Sequence, residues 1–81
     1  MKYRLSKRAA LQLEALPQQV QKRLRKQLDF LVTDLRYPSL RAKKYDEAQD
    51  VWQARIDRNH RFYFQIQGDT YFVLAIVAHP K

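Results

Sequence analysis

The hydrophobic period of this chain changes near Val51, and that change limits its fold more than any other feature. Before it, apolar residues recur every three or four positions; after it, they alternate. Val20, Leu24, Leu28, Leu31 and Leu35 form one stripe, which predicts an amphipathic helix of about 18 residues after Pro17. Further on, Trp52, Ala54 and Ile56 alternate with Gln53, Arg55 and Asp57, and Phe62, Phe64 and Ile66 with Arg61, Tyr63 and Gln65. Those are two strands, each with one apolar face.

Shorter signals supply the rest. Lys2 to Leu5 alternates and reads as a short strand at a sheet edge. Ser6 suits a helix N-cap, because its hydroxyl can accept from the free N–H groups of the next turn. Ala9, Ala10, Leu13 and Leu16 then mark a first helix to about Ala15, and Pro17 separates it from the second. Gly68-Asp69 marks a turn, and Tyr71 to Val77 is apolar on both faces, as in a central strand. Tyr37-Pro38-Ser39 ends the second helix, and Arg41, Lys43 and Lys44 read as a basic loop before acidic Asp46, Glu47 and Asp50. The predicted order is β-α-α-β-β-β, an α+β fold with a helical hairpin packed on one face of a small, mainly antiparallel four-stranded sheet. No linker or repeat divides residues 1–81, which are predicted to form a single domain.

Eighty-one residues allow one modest core, so a bound partner would add stability. Sixteen Lys and Arg against eight Asp and Glu leave a formal charge of +8, which points to a polyanionic or acidic partner. Many such side chains merely cover solvated faces with their stems. The outward cluster Lys22, Arg23, Arg25 and Lys26 is open to both readings, a phosphate track or a solvated helix face. Cysteine is absent and the two histidines lack metal-ligand spacing, so neither metal nor cofactor is expected. The N-terminus lacks the apolar core of a signal peptide, and no apolar run approaches the roughly 20 residues of a membrane helix. A cytoplasmic protein without a membrane partner is expected.

A hairpin of helices covers one sheet face, so Arg55, Arg61, Tyr63 and Gln65 are predicted to look away from it. An odd final loop, Gly68 to Thr70, turns His79 to that same open side, because directly opposed residues share a face. A two-residue Gly68-Asp69 turn reverses it. With His79 on the open side, two guanidinium groups, an imidazole and a phenol converge, a set suited to phosphodiester chemistry. Cleaving RNA through its own 2′-hydroxyl needs a base, fixed positive charge for the phosphorane and an acid for the departing 5′-oxygen. Arginine supplies the charge, and a histidine can transfer the proton near neutral pH. Tyr63 can hydrogen-bond or stack a base. The plainer reading pairs Arg55 with Asp57 or Asp50, makes His79 an ordinary surface residue and places His60 in a turn.

The segment Trp52-Gln53-Ala54-Arg55-Ile56-Asp57, then His60-Arg61-Phe62-Tyr63-Phe64, then a hydrophobic strand ending in His79, resembles the strand core of the RelE/ParE toxin superfamily. Tyr3, Ser6, Ala9, Leu13, Leu16-Pro17 and Val20 extend the likeness over nearly the whole chain, which looks closest to RelE and YoeB. The resemblance implies a toxin of a type II toxin–antitoxin pair, acting in the ribosomal A site as an endoribonuclease on messenger RNA and held inactive by a cognate antitoxin. ParE-type members instead target DNA gyrase. By position, Arg61 matches the arginine that meets the scissile phosphate, His79 the C-terminal general acid of YoeB-like members, and Arg55 a basic residue of the same cleft. The resemblance thus makes Arg61, His79 and Arg55 the catalytic candidates. Arg41, Lys43, Lys44, Tyr63, Lys22, Arg23 and Lys26 are the candidates for RNA binding. The chain departs from the pattern where YoeB-like members carry a glutamate base upstream of the tryptophan, since Arg41 and Ala42 stand there, leaving Glu47 and Asp46 as candidate bases. It departs again after His79, where a tyrosine is common and this chain has Pro80-Lys81.

Overall fold

The computed structural model describes residues 1–78. Strand β1 (Lys2–Leu5) leads to helices α1 (Lys7–Glu14) and α2 (Gln18–Thr33), then β2 (Lys43–Asp46), β3 (Val51–Arg55), β4 (His60–Gln67) and β5 (Thr70–Ala78). The strands form one sheet in the order β1-β5-β4-β3-β2. β1 runs parallel to β5 at one edge, and the remaining pairs are antiparallel. No helix among the described residues is long and apolar enough to cross a membrane.

α2 forms because its leucines repeat at helical spacing, and it lays Leu24, Leu28 and Leu31 on the inner sheet face against Phe62, Phe64, Val73 and Ile76. Aromatic rings tie the strands across that face: Phe64 has its centroid 5.7 Å from Phe62, 5.6 Å edge-on from Tyr71 and 6.2 Å from Trp52. α1 has a different task. β1 pairs with β5 only as far as Val73, which leaves the second half of β5 with an open edge. Ser6 Oγ donates to Leu74 O at 2.9 Å and Gln12 Oε1 accepts from Ile76 N at 2.7 Å, so side chains of the α1 segment replace the missing ladder. Ser6 also caps α1 as predicted, accepting from Ala9 N at 3.0 Å.

One expectation is corrected and one open alternative is decided. The sheet has five strands, because the segment read as a basic loop contributes Lys43–Asp46 as an edge strand on β3. Its charges hid the alternation: Lys44 opposes Trp52 on the inner face, and its ammonium lies 5.0 Å from the indole centroid with the stem covering apolar surface. Of the two final turns left open, the even one forms. Gln67 pairs with Thr70 across a two-residue Gly68-Asp69 turn, whose first residue takes the left-handed φ of 58° that glycine adopts freely. That turn alone would have reversed the parity of β5. A bulge reverses it again: Tyr63 pairs with Ala75 and Phe64 with Val73, so Leu74 is the extra residue. Beyond the bulge Ile76 faces the core opposite Phe62, and Val77 shares the outer face with Arg61.

Candidate functional site

On the outer face, Arg55 directly opposes Arg61, Gln53 opposes Tyr63, and Lys43 opposes Gln53 across the next ladder. Opposed residues share a face, so three strands present these side chains together. All of them but Tyr63 line a hollow of about 240 Å³, together with Arg41. Arg41 enters it from the turn after the short 3-10 segment Pro38–Leu40, where its backbone takes a left-handed φ of 46°. Among the described residues that line it, four are cations and the fifth is an amide.

The β3–β4 loop aims the central pair. Arg61 Nη1 donates to Asp57 O at 2.7 Å and His60 O at 2.9 Å, and Arg55 Nε donates to the same Asp57 carbonyl at 3.3 Å. These partners are main-chain carbonyls, so the guanidinium charges are oriented without being neutralised. Neither arginine forms an ion pair among the described residues. Each guanidinium carries five donors in a rigid fork, and most of them stay available to an anion.

Asp57 holds the loop in turn. Its carboxylate accepts from Asn59 N at 2.8 Å and lies 3.0 Å from His60 Nδ1. Partial burial pushes its pKa up, but the Asn59 N–H and the His60 ring outweigh burial and hold it below the usual 3.8. A carboxyl lowered by folding contributes stability above its unfolded pKa and loses it as the pH falls through the lower folded value. Acid titration of the parent chain and Asp57→Asn should therefore show stability curves that differ at neutral pH and converge below about pH 3.8. Parallel curves through that range would refute the role.

A second brace comes from α2. Gln27 is 1% exposed, and its amide donates to Arg55 O at 2.8 Å and Ser39 O at 3.1 Å while accepting from Ser39 Oγ at 2.9 Å. It joins helix, turn and the end of β3 directly beneath Arg55. Gln27→Leu keeps the volume but leaves those buried groups unpaired, and should cost about 1–3 kcal/mol in urea unfolding. An unchanged midpoint would refute the brace. Gln27 went unnoticed in the sequence, although it sits three residues after Leu24 and four before Leu31, a polar side chain on the apolar stripe.

The remaining predicted residues divide. Arg23 turns in from α2, donating to Ile56 O at 3.1 Å, and lines a neighbouring hollow of about 460 Å³ with Arg41, Arg55, Asp57 and Arg58. Arg58 was not anticipated. Lys22 and Lys26 are exposed on α2 and line neither hollow, and Lys26 lies 5.9 Å from the Phe30 ring centroid. Lys44 is on the inner face, bonded to Asp50, which raises its pKa above 10.5. Tyr63 stands beside Tyr45, centroids 4.7 Å apart, and burial holds its phenol above 10.0, so at neutral pH it donates hydrogen bonds and is not a base. Asp46 accepts from Gln49 N at 3.1 Å, Glu47 is exposed in the adjoining turn, and neither lines the cationic hollow. His60 is the first residue of β4, half-buried, and not a turn residue. His79 lies outside the described residues.

Two helices pack on one face of a five-stranded sheet while Lys43, Arg55 and Arg61 stand on the bare one, and the same fold is found in solved RelE and YoeB toxins. The chain belongs to the ParE toxin family of type II toxin–antitoxin systems, whose model matches residues 3–80. Among solved structures, it is similar to the YoeB/ParE toxin from Agrobacterium tumefaciens, at 14% identity and TM-score 0.82 over 99% of this chain and 100% of that one. The RelE-RelB complex from Pyrococcus horikoshii matches at 16% identity and TM-score 0.80 over 95% and 92%. The E. coli RelBE complex matches at 16% and 0.75 over 98% and 96%. At such identities the likeness is one of fold. No curated protein matches the sequence.

Proposed function

We propose that this toxin is a ribosome-dependent endoribonuclease that cuts messenger RNA by attack of the RNA's own 2′-hydroxyl on the adjacent phosphate. The supporting observation is the opposed Arg55–Arg61 pair in the cationic hollow, oriented by Asp57 O and free of carboxylate partners among the described residues. In this reading Arg61 and Arg55 bind the scissile phosphate and stabilise the phosphorane charge, and Lys43 and Arg41 hold the neighbouring backbone. His79 donates the proton to the departing 5′-oxygen. Asp46 and Glu47 are the candidate bases. They do not line the hollow, so positioning of the 2′-hydroxyl by the ribosome must supply much of the rate, a contribution that can reach about 7–11 kcal/mol. Residues 1–81 act as one unit, in the cytoplasm, under a cognate antitoxin. Complexes of the fold relatives with RelB and YefM support that partnership.

A second reading is a non-enzymatic toxin directed at DNA gyrase. It is favoured by the match to the ParE family model and by the absence of a carboxylate lining the hollow among the described residues. One pair of assays separates the two. Primer extension on a message in a translating extract should show cuts within codons only when ribosomes are present, while gyrase supercoiling proceeds unaltered. Inhibited supercoiling with intact message would establish the second reading.

A further inference from the structure

Next to the cationic hollow, on the same outer face, lies a second hollow of about 390 Å³ with a different character. Tyr45 and Tyr63 wall it, with rings tilted at 59°. Its floor is Leu74, Ala75 and Val77, the stretch of β5 at and beyond the bulge. Arg8 and Asp46 line it as well. Tyr45 is 62% exposed, the most exposed large apolar side chain of the described residues, and it is the unpaired residue where the β2–β3 register shifts between Lys44 and Asp46. Bulges of this kind re-aim a side chain, and here the ring is aimed at Tyr63 on the outer face.

We propose that this hollow seats an unpaired nucleobase of the RNA whose phosphate occupies the Arg55–Arg61 cleft. The inference rests on the RNA reading above and adds to it a base-binding subsite with Tyr45 as its principal contact. Spacing supports it: Tyr63 and Arg61 are alternate residues of β4 on one face, about 7 Å apart along the strand. That matches the reach from a phosphate to its own base. Chemistry supports it too. Aromatic rings beside a cationic groove form the usual surface for single-stranded nucleic acid, because every base has a π-face. A guanidinium and a carboxylate in the lining offer a donor and an acceptor to a base edge, which an aliphatic side chain of a protein partner would leave unsatisfied.

The test is equilibrium binding of labelled, unpaired RNA oligonucleotides to the full chain, using one intact series and one with a single abasic residue. Tyr45→Ala should weaken binding of the best intact oligonucleotide by about 5- to 100-fold, leave the abasic one unchanged, and leave the salt dependence of binding as it was. Tyr45→Phe should bind as the parent does. Since Tyr45 is largely exposed, its thermal midpoint should barely move. Arg61→Ala should weaken both series alike. If Arg61→Ala weakens binding while Tyr45→Ala changes nothing, the base seat is refuted and the phosphate reading stands. If neither variant matters, or the chain binds no RNA, both fall. If Tyr45→Ala spares RNA and loosens only a protein partner, the hollow is a protein-docking seat and the proposal is overturned.

Discussion

Arg61→Ala is expected to lower message cleavage by at least about 10²-fold and to abolish growth arrest. Removing one preorganised donor to a developing oxyanion costs about 10²–10³ in rate in a water-poor site. Arg61 is the best-aimed donor of the cleft, fixed by two carbonyls at 2.7 and 2.9 Å with no acid among the described residues to cancel its charge. Arg61→Lys should not rescue it, because an ammonium can neither span both carbonyls and a phosphate nor present a planar fork. Cleavage would be measured by primer extension in a translating extract, with the thermal midpoint of each variant as a control for folding. A variant that folds like the parent and stays fully toxic would remove the outer-face cleft from consideration. The result also bears on the gyrase reading, in which loss of toxicity would occur with messages intact in parent and variant alike.

Phe64→Ala is expected to be the most damaging single truncation to the fold, costing about 3–5 kcal/mol. The side chain is fully buried on β4, the central strand of the sheet, and touches the rings of Phe62, Tyr71 and Trp52. At about 0.05–0.15 kcal/mol per residue, a chain of 81 residues has roughly 4–12 kcal/mol of stability to lose. The variant should therefore be partly or wholly unfolded at growth temperature. Phe64 also lies beside the register shift that sets which residues of β5 face outward, so the cavity would loosen the floor of the base seat before it reached the arginines. Urea unfolding would measure it, beside Phe64→Leu, which should cost less than half as much. A loss under about 1 kcal/mol for the alanine variant would show that the aromatic cluster does not hold the sheet together.

Both expectations draw on features of unequal legibility. The faces of β3 and β4 were plain in the sequence, because alternation at period two is local: Phe62 and Phe64 went inward, and Arg55, Arg61 and Tyr63 outward. The α2 stripe and the Ser6 cap were local as well. Lys43–Asp46 was not legible as a strand. Its inward residue is a lysine whose stem covers apolar surface over Trp52, a role that depends on a partner eight residues away. Arg41 reaches the cleft through a left-handed backbone that no glycine announced.

By itself, then, the order of residues determined both helices and every strand but β2, the apolar and basic faces of two strands, and membership of a toxin superfamily through short local motifs. Only the tertiary structure decided the parity of β5, where the turn and the bulge reverse each other. It alone placed Gln27 under Arg55 and Tyr45 beside Tyr63. The reason is physical: periodicity is a property of neighbours along the chain, whereas register and bulges are settled by which pairings bury the most surface and leave the fewest polar groups unpaired.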